Sequence, residues 1–211
     1  MTIAQALVSF ALVAALLTVI PGLDTALVLR AAISRGRGYA FATAVGINTG
    51  ALIWGIAAAV GASALLATSE VGYRALTLAG AAYMVWLGAS MIWKSLRRPA
   101  PHSVGNSPAI SSTLWHGWLV GVGTNLLNPK VGVFYLATIP LFIPAGTPPL
   151  LMGVLLALVH TALGFVWFTA IIVGTGFASR WLKSARVTKI VDRITGGVLI
   201  GFGATLALQH H

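Results

Sequence analysis

With 211 residues, 58% hydrophobic, 8% charged and a mean hydropathy of +0.93, the chain has too few charges to solvate a globular surface. The absence of cysteine excludes disulfides, thiolate metal sites and dithiol redox chemistry. A net charge of +10 would suit nucleic acid on a soluble face, but here the cations fall between long apolar runs, so a lipid bilayer and not nucleic acid is the expected partner.

A hydrocarbon layer of about 30 Å takes about 20 mostly apolar residues per helical crossing. Six such runs are present, at 3–29, 38–67, 72–93, 114–143, 149–178 and 190–208. They predict an all-α integral membrane protein with six transmembrane helices; their continuous rather than alternating hydrophobicity argues against a barrel. Run one lacks a basic leader and a small-residue cleavage signature, so it is expected to be a retained helix.

Run one contains Pro21-Gly22-Leu23-Asp24. A carboxylate at that depth costs about 2.5 to 3.5 kcal/mol on insertion scales. Pro beside Gly also interrupts the hydrogen-bond ladder where lipid offers no replacement partner. Ser34 to Gly38 then forms a short basic turn. Run two carries Gly46-Ile47-Asn48-Thr49-Gly50, whose glycines four apart permit close approach of another backbone. Asn48 is either a satisfied amide on that packing face or part of a site shared with Asp24.

Thr68 to Arg74 has the composition of a tight external loop, with Glu70 and Arg74 as a weak i,i+4 surface pair. Run three ends at Trp93, and residues 94–113 turn to Pro, Ser, Gly and charge. This cytoplasmic linker divides the chain into three-helix halves, 1–93 and 114–211, within a single transmembrane domain. Run four holds Asn125-Leu126-Leu127-Asn128-Pro129-Lys130, again a helix breaker beside a lone charge. Ile143 to Pro149 is an uncharged, rigid external turn. His160, in the middle of run five, is either a helix-to-helix hydrogen bond or a titratable group. The basic residues from Arg180 to Arg193 form an amphipathic, headgroup-anchoring lead-in to run six.

Eleven of the thirteen cations (Arg30, Arg35, Arg37; Lys94, Arg97, Arg98; Arg180, Lys183, Arg186, Lys189, Arg193) share one side of a six-crossing topology, against Arg74 opposite. The positive-inside rule then makes that side cytoplasmic and places both termini outside. Trp93, Trp115, Trp118 and Trp181 sit beside the basic loops, at the interface that suits their rings. Trp54, Trp86 and Trp167 lie deeper, where packing towards lipid is expected.

An odd number of crossings per half sends run four through the membrane opposite to run one, as in an inverted repeat with broken helices 1 and 4. Aligning Pro21 with Pro129 sets Ile20-Pro21-Gly22-Leu23 against Asn128-Pro129-Lys130-Val131. The half-helices starting there offer N–H groups to a carboxylate, while freed carbonyls suit an ammonium. Asp24 could meet an amine or carry a proton, and Lys130 could meet a carboxylate; the alternative is an Asp24–Lys130 pair that merely joins the halves.

These motifs, together with Val28-Leu29-Arg30, Ser34-Arg35-Gly36-Arg37, Phe134 and Pro140, resemble the lysine-exporter (LysE/RhtB) family of amino-acid efflux transporters in order and spacing over nearly the whole chain. The resemblance implies a multi-pass inner-membrane exporter of amino acids or their relatives, driven by proton influx. One departure is Leu23, where the family usually has a second proline, which should soften the first break. The combined expectation is a proton antiporter for a small zwitterion. Asp24, Lys130, Asn48, Asn125, Asn128 and His160 would bind substrate or proton, and Pro21, Gly22 and Pro129 would hold the helices open. A passive channel is the alternative. No cofactor is expected, a homo-oligomer is permitted by glycine pairs such as Gly117 with Gly121 and Gly197 with Gly201, and three carboxylates without a clustered nucleophile give a poor basis for a metal site or an enzyme.

Overall fold

A computed structural model describes residues 1–20, 22–96 and 113–177, with helical positions 186, 189–190, 193–194, 196–198, 200–201 and 204 beyond them. Pro21, linker residues 97–112, Arg180, Trp181 and Lys183 lie outside the described residues. Seven long helices are described: α1 (Ile3–Val19), α2 (Leu23–Ser34), α3 (Arg37–Thr68), α4 (Glu70–Leu96), α5 (Leu114–Leu126), α6 (Pro129–Thr138) and α7 (Pro149–Val173). Among the described residues there is no strand. A 3-10 turn, Ile139–Phe142, prolongs α6.

The two expected breaks are present. Run one divides into α1 and α2, whose axes differ by 55°. Run four divides into α5 and α6, with Leu127 and Asn128 between them. Helices α3 and α7 are each long and apolar enough to cross a bilayer, and the bent pair α1 and α2 makes a third crossing if taken as one span.

Local chemistry fixes the helix ends. Thr2 and Gln5 form a reciprocal capping box at the start of α1, with Gln5 N–H donating to Thr2 Oγ1 at 3.2 Å and Thr2 N–H to Gln5 Oε1 at 2.8 Å. Gly36 turns the chain from α2 into α3 at φ 86°, a left-handed conformation that favours glycine. The loop expected over Thr68 to Arg74 shrinks to Ser69 alone. Its hydroxyl accepts from Gly72 N–H at 2.9 Å, so the loop-like composition is an N-cap followed by the first turn of α4. Glu70 and Arg74 do pair, at 2.7 Å on the exposed surface.

Helix α3 is the central element, and small residues let its neighbours approach. A Cβ on Gly46 would collide with the Trp118 carbonyl of α5, and one on Gly121 with the Thr43 carbonyl of α3. On the other side, Gly55 lies against Ala157 of α7 and Gly153 against Ala59. Where lipid supplies no hydrophobic drive, such backbone proximity is the source of helix association. Late in the chain, Gly196 makes a close approach of the same kind, against the Gly88 carbonyl of α4.

Two apolar clusters result. One joins α1, α6, the 3-10 turn and parts of α3, α4 and α7 around Phe10, Phe134 and Phe142. The other joins α2, α3 and α7 around Val28, Ile47 and Ile172. Trp86 is exposed, as a lipid-facing ring would be. Trp54 and Trp167 instead pack against the clusters, Trp54 over Gly132 of α6, whose lack of a Cβ leaves room for the indole.

Candidate functional site

The two helix breaks face one cavity of about 50 Å3, bordered by residues of both apolar clusters, including Leu17 and Val131 from one and Ile47 and Phe168 from the other. Asp24, Asn48, Asn125, Asn128, Lys130 and His160 all line it. These six come from α2, α3, α5, α6, α7 and the α5–α6 break.

Each break begins a half-helix at the cavity. Gly22 is the N-cap residue of α2 and Asn128 that of α6, where its side-chain oxygen accepts from Lys130 N–H at 3.1 Å. Pro129 takes the first helical position, which needs no N–H donor. Counted from these caps, Asp24 and Lys130 occupy the same second helical position. The helix starts therefore match Gly22 with Asn128 and Leu23 with Pro129, two residues away from the register expected by aligning the prolines. Leu23 takes the position a proline fills in the other half, and the break persists without it.

The charges differ in how they fit the helix ends. Asp24 complements the partial positive charge at the start of α2, whereas Lys130 opposes the same field at the start of α6. A cation placed against its own helix dipole points to a role outside the stability of α6. The Lys130 ammonium reaches across to the first break, donating to the Leu17 carbonyl at 3.4 Å. Its Nζ would stand 3.7 Å from a Cβ on Gly22.

The carboxylate is held by amides. Asn125 Nδ2 donates to Asp24 Oδ2 at 3.0 Å, and Asn128 Nδ2 approaches the same oxygen at 3.5 Å. Asp24 Oδ1, Asn125 Oδ1 and Asn48 Nδ2 are buried with no hydrogen-bond partner among the described residues. Two acceptors and a donor left open in one cavity are costly unless something else satisfies them.

Two glycines make room for this arrangement. A Cβ on Gly50 would lie 2.8 Å from Asn125 Oδ1, and one on Gly164 would lie 2.7 Å from Asn48 Oδ1. Gly46 and Gly50 thus have different duties: the first admits a backbone, the second a side chain. Sequence reasoning also passed over Tyr135, fully buried in α6, whose hydroxyl is 2.8 Å from His160 Nδ1. Its only signal was an aromatic hydroxyl inside an apolar run, which buries only with a partner. Pro21 lies outside the described residues, so its part in the first break is not described.

Fold and site together define a helical membrane protein with a polar cavity where two interrupted helices meet. The family model for LysE type translocators matches residues 15–210, and the chain belongs to that family. Among its relatives, an uncharacterized membrane protein, YrhP, of Bacillus subtilis is 29% identical over 97% of this chain and 100% of its own length. The leucine efflux protein of Enterobacter sp. (strain 638) is 32% identical over 92% of this chain and 91% of its own. A homoserine/homoserine lactone efflux protein of Salmonella typhimurium is 27% identical over 96% of both chains. No solved structure gives a significant match. Two of these relatives are thus named for efflux, one of leucine and one of homoserine and its lactone.

Proposed function

We propose that the protein is a secondary transporter that exports amino acids or related small zwitterions across the inner membrane by proton antiport. Its six crossings form two oppositely directed three-helix halves, residues 1–93 and 114–211, joined by a cytoplasmic linker, with both termini outside. The observation that carries this reading is the pair of opposite charges, Asp24 and Lys130, at equivalent positions of two half-helices facing one cavity. Asp24 accepts the cargo's ammonium or a proton, and Lys130 meets its carboxylate. Asn48, Asn125 and Asn128 complete the hydrogen bonding.

The cavity volume argues for a moving carrier. About 50 Å3 holds little more than a few waters, so a cargo of amino-acid size enters only after the halves part around the site. A channel needs no such cycle. The test is radiolabelled exchange in proteoliposomes. Unlabelled amino acid on the far side accelerates efflux through a carrier, and an unchanged rate would favour the channel. A growth-resistance screen with toxic amino-acid analogues identifies the cargo to use.

A further inference from the structure

We infer that Tyr135 is a positioning residue that fixes His160 as a hydrogen-bond donor for the cargo's carboxylate. This assignment rests on the export reading above. Nothing in the family match or in the relatives' names assigns either role.

Tyr135 is fully buried, and the hydrogen bond to His160 Nδ1 is the one its hydroxyl makes. A neutral imidazole has one donor and one acceptor nitrogen, and the bond made by one decides the state of the other. Imidazole nitrogen is a far better acceptor than phenol oxygen. The pair therefore settles with the Tyr135 O–H donating to Nδ1 and the proton of the ring on Nε2.

The surroundings hold that ring in place. It lies edge-on to Phe10 and Phe134, with centroids 6.5 and 5.7 Å away, and tilted against Tyr135 at 5.4 Å. Nε2 has no hydrogen-bond partner among the described residues, while His160 lines the cavity. An N–H held there has to meet cargo or water.

Its neighbours have the same polarity. Gly164 follows His160 by one helical turn on the same face of α7, and there the Asn48 amide fits, its Nδ2 also without a partner. Lys130 lines the same space. Three groups able to donate, on His160, Asn48 and Lys130, thus line the same cavity as the acceptor-bearing Asp24 and Asn125. Among these donors, the one on His160 is set by Tyr135.

Two measurements on the full chain in lipid test this. In 15N-histidine NMR, with the His160 signals assigned by their loss in His160→Gln, the wild type should show a bare Nδ1 and a protonated Nε2, and Tyr135→Phe should mix the two tautomers. A wild-type Nδ1 carrying the proton would overturn the inference, whatever the protein transports.

The second measurement compares exchange of an amino acid with exchange of its carboxamide. His160→Leu should lower the preference for the carboxylate about tenfold or more, as expected for a lost hydrogen bond to a charged group. Tyr135→Phe should lower it less, and His160→Gln, which keeps an N–H near the Nε2 position, should restore most of it. If the wild type exchanges amino acids and His160→Leu keeps full discrimination, the inference falls while the export reading stands. If the wild type exchanges no amino acid at all, the export reading itself fails.

Discussion

Replacing Gly50 with alanine tests whether the amide scaffold around Asp24 matters without touching any polar group. The new Cβ would sit 2.8 Å from Asn125 Oδ1, 2.9 Å from its Cβ and 3.1 Å from its Cγ. Carbon atoms pack best about 3.5 to 4.0 Å apart, so the side chain would have to retreat by roughly 0.5 to 1 Å. The atoms in the way include Cβ, tied to the α5 backbone, so rotation alone gives little relief. The Asn125–Asp24 hydrogen bond, now 3.0 Å, would stretch to where such a bond no longer holds. Losing a bond to a charged acceptor costs about 1.5 to 3 kcal/mol, or about 10- to 150-fold in an equilibrium constant. Exchange kinetics in proteoliposomes should show this loss in the cargo concentration needed for half-maximal rate. The control is Gly61→Ala in the same helix, where the Cβ meets nothing within 4 Å. There, helix propensity favours alanine by up to about 1 kcal/mol, and transport should be unchanged. Equal transport by Gly50→Ala and Gly61→Ala would refute the role given to Asn125.

Other substitutions separate structure from transport. Asn128→Asp keeps an oxygen to cap α6, so the melting temperature in detergent should hold, but it turns a donor to Asp24 into a second carboxylate and should abolish exchange. Gly121→Val forces a side chain into the Thr43 carbonyl and should cost about 1 to 3 kcal/mol, read as a lower melting temperature, whereas Gly123→Ala, with open space around it, should not. Glu70→Ala removes an exposed ion pair worth at most about 1 kcal/mol and should leave both stability and export near wild type.

The candidate site was legible where the sequence broke its own rules. Asp24 and Lys130 stand out because a charge beside a helix breaker is expensive in an apolar run, and both line the cavity. The register between the breaks was not legible, because proline marks a helix start only to within a few residues. Gly22 and Asn128 as caps set it two residues away from the proline alignment. Ser69 shows the same limit: Ser, Glu and Gly have loop composition, yet one serine cap suffices. Tyr135, Gly50 and Gly164 act through partners on other helices, and no spacing along the chain announces such contacts. Trp54 likewise turns inward only because Gly132, far away in sequence, leaves a recess.

The central claim is that Asp24 links cargo movement to proton movement. The most direct test is efflux of labelled amino acid from proteoliposomes under an imposed proton gradient, comparing wild type with Asp24→Asn at equal reconstitution. The account predicts gradient-driven efflux by the wild type and none by Asp24→Asn, which should remain folded in detergent. Efflux by Asp24→Asn that still follows the proton gradient would contradict it.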